Sequence, residues 1–152
     1  MAAPKLAAAV RARFDPYRHK ILGTLRSDGS PRLSGIETTF KDGELWLGMM
    51  PDSRKAQDLR RDPRLALHSP PVDPELVEGD ARISGRAREE TDPGAMAILV
   101  QGDERHAGDP PQGHVFRVAI IELMLIKIGD PPDHLVIESW REGHGLERIE
   151  RR

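Results

Sequence analysis

The sequence predicts an α+β protein: an antiparallel sheet closed as a barrel, with short helices set between the strands. Three observations lead there. Segments rich in strand-type residues follow one another through tight Asp-Gly turns at 28–29 and 42–43, the signature of hairpins rather than crossovers. Helical periodicity is brief and does not alternate regularly with strands, as a parallel sheet requires. About seven strands in one chain leave closure as the simplest way to remove exposed sheet edges.

The elements follow in order. Leu6, Ala9, Val10 and Phe14 recur at helical spacing behind Pro4, so an amphipathic first helix is expected, covering one face of the sheet and closed by Asp15-Pro16. KILGTLR (20–26) reads as the first strand and PRLSGIETTF (31–40) as the second, with Gly35 marking a bulge or a close approach to the backbone. Leu45 to Met49 is the third strand. A Pro51-Asp52 turn then leads into a short basic helix opening at Ser53-Arg54-Lys55, stopped by Asp62-Pro63, and Leu65 to His68 forms a fourth strand. Pro70, Pro71 and Pro74 mark a loop. In GDARISGRARE (79–89), Ala81, Ile83, Gly85 and Ala87 alternate with Arg82, Ser84, Arg86 and Arg88, a strand with one small apolar face and one basic face. Asp92-Pro93 opens a helix containing Met96, Ile98, Leu99 and Val100. GDPPQG (108–113) is a polar loop, VFRVAIIELMLIKI (115–128) a long central strand and LVIESW (135–140) the last strand. The charged tail from Arg141 to Arg152 is expected to be loose.

A chain of 152 residues with no linker and no internal repeat is one domain, 1–152. The net charge of -2, with both signs mixed, argues against nucleic acid as the main partner. The chain contains no cysteine, which excludes disulfides, thiolate chemistry and Cys-ligated metals. No segment is long and apolar enough to span a membrane and no signal peptide is evident, so no membrane partner and a cytoplasmic location are expected. Two Trp, one Tyr and three Phe leave the core to aliphatic residues, and added burial at a dimer interface suits so small a chain.

Chemistry concentrates at residues 53–55. The start of a helix supplies free N–H groups and the positive end of the dipole, and Ser53, Arg54 and Lys55 add a hydroxyl and two cations there. That combination suits a phosphate or another compact anion; a solvated basic surface is the competing reading. The six histidines lack HxxxH or HxH spacing, so no metal is assigned. His68 reads as a satisfied polar residue, Gly143-His144-Gly145 is no dinucleotide fingerprint, and Ser34, Ser53 and Ser84 lack a nucleophile elbow.

The order of pieces in TLRSDGSPRLSGIETTFKDGELWLGMMPDSRKAQDLRRDPRLALHS, followed by the GRAR strand and VIESW, resembles the pyridoxamine 5'-phosphate oxidase-like superfamily of split β-barrels, from Lys20 to Trp140. The resemblance implies a single flavin-nucleotide-binding split-barrel domain and a homodimer with two cofactors at the subunit interface. The implied cofactor is FMN, with the deazaflavin F420 as alternative. Carried over residue by residue, the phosphate-binding serine, arginine and lysine fall on Ser53, Arg54 and Lys55. The strand along the cofactor falls on Arg32, Leu33, Ser34, Gly35 and Ile36, and Arg32 adds a further cation. Gly48 and Met49 stand where the oxidases keep polar or aromatic residues, a departure that argues against vitamin B6 oxidase activity. Asp80 takes the place of a glutamine, and Trp140 matches a tryptophan that packs on the cofactor from the partner subunit.

The expected activity is therefore that of a small FMN- or F420-dependent oxidoreductase acting on a small organic substrate, with the hydride chemistry in the cofactor and no catalytic side chain assigned. The alternative is a carrier or scavenger that holds flavin or haem without turnover. The longer acidic tail of F420 would call for extra basic surface, for which Arg60, Arg61, Arg82 and Arg86 are candidates.

Overall fold

The computed structural model describes residues 3–100 and 113–152. Helix α1 spans Pro4–Phe14, with Pro4 in the first turn, where its missing N–H costs nothing. Leu6, Val10 and Phe14, one turn apart, are buried, and the helix packs mainly on two of the longest strands, β5 and β6. Strands β1 (His19–Leu25), β2 (Pro31–Lys41) and β3 (Glu44–Met49) form an antiparallel meander. Asp42 and Gly43 join the second pair with φ of 53° and 77°, the left-handed geometry that matches strand twist in a two-residue hairpin. Helix α2 (Arg54–Arg61) and strand β4 (Arg64–His68) follow. Then come β5 (Asp80–Glu90), helix α3 (Pro93–Val100), β6 (His114–Ile128), β7 (Leu135–Arg141) and β8 (Gly145–Arg151).

The sheet order is β3-β2-β1-β4-β5-β6-β7-β8, and an additional pairing of β3 with β6 closes six strands into a barrel. The length of β6 is what allows both closure and extension. Its first part pairs with β3, Met49 opposite His114 and Leu45 opposite Val118, and its second part pairs with β7 from Glu122 to Ile128. The β7–β8 ribbon therefore leaves the barrel at its split. Inward side chains of the closed part, among them Leu22, Ile36, Leu47, Leu67, Ile83 and Phe116, are almost entirely buried, and Phe14 meets Phe40 edge-on with centroids 6.4 Å apart.

Two expectations are corrected. The tail from Arg141 to Arg152 is not loose: Gly145 to Arg151 is an eighth strand paired along its length with β7. Its alternating charges suit an outer edge that must not recruit another strand, which is why it lacks the apolar signature of the others. The β1–β2 ladder runs through Gly35 without a break; the register shift lies instead between Ser84 and Gly85, against β6. The polar loop read at 108–113 falls, up to Gly113, outside the described residues.

Candidate functional site

The Met50–Ser53 turn carries Asp52 at φ 59° and delivers the chain into α2. Ser53 is the N-cap in extended conformation, and its Oγ accepts the N–H of Ala56 at 3.3 Å. One orphan donor of the helix start is thereby satisfied. Lys55 donates from Nζ to the Gly35 carbonyl at 2.6 Å, and partial burial pulls its ammonium below the ordinary lysine value. Arg54 points elsewhere. With Gln57, Asp58 and Arg61, its near neighbours on one side of the helix, it lines a cleft of about 250 Å³ shared with Arg26 and Arg32. Arg54 makes no hydrogen bond or ion pair among the described residues.

Asp58 organises the cleft floor. Its buried carboxylate accepts Thr24 Oγ1 at 2.8 Å, Arg32 Nε at 2.7 Å and Arg61 NH2 at 2.9 Å. Burial pushes this carboxyl up, and the bonds from Arg32, Thr24 and Arg61 together outweigh it and hold the group below the usual carboxylate range. Arg32 is thus fixed in the cleft wall, with its charge shared with Asp58, while Arg54 keeps its own.

The pleat divides the predicted cofactor strand. Leu33 and Gly35 face outward, Leu33 with 76% of its surface exposed, while Ile36 is in the barrel core. Ser34 shares the inward side with Ile36, and its Oγ is buried without a hydrogen-bond partner among the described residues. On β3, Gly48 is exposed and Met49 is buried in the core. Among the described residues nothing lies within 4 Å of where a Cβ would stand on Gly35 or on Gly48. The two glycines leave this face without side chains at their own positions, bordered by the exposed Leu33 and Met50 and by Glu37, which stands opposite Gly48. Sequence reasoning missed Met50, Arg26, Gln57 and Asp58. The helical spacing of 54, 57, 58 and 61 was a usable signal for the last two; Arg26 and Met50 carried none.

Asp80 and Trp140 are not brought to this cluster within one chain. Glu89 on β5 meets Arg60 at the end of α2, and Asp80 lies nine residues back along that strand, about 30 Å at strand rise. Trp140 pairs with Leu123, nine residues along β6 from His114, which touches the Asp52 turn. Trp140 packs against the core, whereas Asp80 stands opposite Ile126 with its Oδ1 buried and without a hydrogen-bond partner among the described residues. Among the expected tail-binding arginines, Arg60 is held by Glu89 at 2.7 Å through two nitrogens and Arg61 by Asp58; Arg82 and Arg86 are exposed on β5. No group of three or more potential metal ligands occurs among the described residues, and no helix among them is long and apolar enough to cross a membrane.

Comparison with protein-family models matches residues 6–127 to the pyridoxamine 5'-phosphate oxidase family. A search of curated proteins finds no match. Among solved structures, the chain is similar to a pyridoxamine 5'-phosphate oxidase-related, FMN binding protein from Nostoc punctiforme, with a TM-score of 0.71 and 13% identity over 98% of this chain and 96% of that one. A conserved hypothetical protein from Mycobacterium tuberculosis aligns with a TM-score of 0.64 and 25% identity over 81% and 82% of the two chains. A heme binding protein from Mycobacterium smegmatis aligns with a TM-score of 0.61 and 14% identity over 99% and 88%.

Proposed function

The chain belongs to the pyridoxamine 5'-phosphate oxidase family, and from that premise we propose that it is a small homodimeric oxidoreductase dependent on a flavin nucleotide and acting on a small organic substrate. One observation carries the reading: Arg54, without a hydrogen-bond or ion-pair partner among the described residues, lines a cleft whose four arginines outnumber its two aspartates, and Gly35 and Gly48 on β2 and β3 carry no side chain. These residues fit the group, because a planar ring needs a surface without side-chain relief and a phosphate needs an uncommitted guanidinium.

In this reading Arg54 binds the phosphate, assisted by Arg32 and the α2 N-terminus at Ser53, and Lys55 holds the Gly35 carbonyl at the edge of the ring platform. Leu33 and Met50 exclude water from its rim. A flavin or deazaflavin bound there supplies hydride transfer, chemistry that resides in its ring. The dimer is supported by the outward face of the ribbon, where Ile126, Ile137 and Ile149 lie side by side across β6, β7 and β8, with Met124, Ile128 and Leu135 around them. A second copy on this face covers apolar surface. FMN is the favoured cofactor, since one cleft arginine with no partner among the described residues suits a single phosphate; Arg82 and Arg86 keep F420 as the alternative.

The test is fluorescence titration of apoprotein with FMN and with F420. Saturable binding of one is expected, weakened about 10–100-fold in Arg54→Ala, the worth of one charge-assisted contact. Reduced cofactor should then be reoxidised by acceptors faster with protein than without. No binding of either cofactor overturns the assignment, and binding without acceleration makes the protein a carrier.

A further inference from the structure

On β5 the outward positions are taken by Arg82, Ser84, Arg86 and Arg88, and the three arginines are exposed. In the ladders on either side they meet further cations: Arg86 stands opposite Arg64 on β4, and Arg88 opposite Arg117 on β6. Like charges placed directly across a ladder destabilise it. Elsewhere on this sheet opposite charges face each other, Glu122 with Arg141 and Glu138 with Arg148. Neighbouring carboxylates do not restore the balance on β5. Asp62 is bound to Arg64 at 2.7 Å and Glu90 to Arg117 at 3.4 Å, while Arg82, Arg86 and Arg88 make no hydrogen bond or ion pair among the described residues. The fold therefore keeps this strip of cations against its own stability, and the reason for it lies outside the chain.

We propose that the outer face of β5, flanked by Arg64 and Arg117, is a docking surface for an acidic polypeptide segment in extended conformation. Charge complementarity selects the partner. A guanidinium fork binds a carboxylate through two parallel hydrogen bonds. Alternate residues of an extended chain project to one side about every 6.7 Å. A segment with acidic residues at every second position thus matches Arg86 and Arg88 and, about 13 Å along the strand, Arg82. Nucleic acid suits the face less well. Trp46, the aromatic residue opposite Arg117, is 9% exposed and lies beneath that guanidinium, 4.7 Å from it, so it offers no ring for a base to stack on. The net charge of -2 also repels a long polyanion from the rest of the surface. The FMN reading leaves this face unused, and the proposal does not depend on it.

The test titrates the full chain into a fluorescently labelled peptide of five Glu-Ser repeats, read by anisotropy at low salt and at about 300 mM salt. Saturable binding is expected at low salt, weakened about tenfold or more at high salt as the charges are screened. Arg86→Glu combined with Arg88→Glu should weaken low-salt binding about tenfold or more, because two attractive contacts become repulsive. The same variant turns two like-charged pairs into opposite ones, so its Tm should equal or exceed that of the native chain. A merely structural role for these arginines would lower it. No saturable binding at low salt, binding undiminished in the variant, or a lower Tm (failure to fold included) overturns the proposal. A labelled decathymidylate that binds more tightly than the peptide also overturns it and gives the face to nucleic acid.

Discussion

Replacing Asp58 by Asn is the most direct challenge to the account of the cleft. The carboxylate side chain is 3% exposed and holds Arg32, whose side chain is 20% exposed, and Arg61, which is 41% exposed. Breaking a buried pair by removing one partner costs about 3–5 kcal/mol. Here both guanidinium groups regain some water, Arg61 nearly all it needs, and the Asn oxygen can still accept from Thr24, so about 2–3 kcal/mol is expected. At this chain length that lowers Tm by roughly 4–12 °C. Urea unfolding at pH 7 should show a lower midpoint with unchanged slope. The pH dependence has a definite sign. Asp58 is held below its ordinary value, so its contribution is complete above the unfolded carboxyl pKa of about 3.9 and is lost as pH falls through the folded value. The gap between native protein and variant should therefore close in acid. A variant within about 0.5 kcal/mol of the native protein at pH 7, or a gap that persists in acid, would refute the reasoning. Combining Asp58→Leu with Arg32→Met and Thr24→Val should recover much of the loss, because it removes the buried charges and the hydroxyl that Asp58 satisfies.

Two further outcomes are expected. A Cβ on Gly85 would stand 2.5 Å from the Ala119 carbonyl and 2.8 Å from Val118 Cγ1, whereas one on Gly35 meets nothing within 4 Å; Gly85→Ala should cost about 1–3 kcal/mol in chemical denaturation, while Gly35→Ala leaves stability nearly unchanged and weakens flavin binding. Ile137→Asp places a charge on the outward apolar face, so sedimentation equilibrium should find a dimer for the native chain and a monomer for the variant, with thermal unfolding of the barrel little altered; a variant that remains dimeric rejects that face.

Much of this protein is legible residue by residue. The Asp-Gly turns, the stop at Asp62-Pro63 and the apolar run from Val115 to Ile128 each act through local chemistry, so meander, basic helix and long strand appear where the sequence puts them. The order of those pieces also carried the family, and the helix N-terminus at Ser53 was readable as a cap. What the chain order could not convey is which side of a pleat faces solvent once the barrel closes, and which distant groups meet there. Met49 was expected at the site and is buried, while Gly48 and Met50 on either side of it are exposed, because β3 is pinned between β2 and β6. Arg54 and Lys55, adjacent in sequence, serve different surfaces because successive helical residues diverge by about 100°. Arg32 finds Asp58 across 26 residues and His114 finds Asp52 across 62. Local preferences are set by the few residues on either side of a position and so belong to the sequence; closure of the sheet brings together groups with no local relation, and only the tertiary structure decides which of them touch.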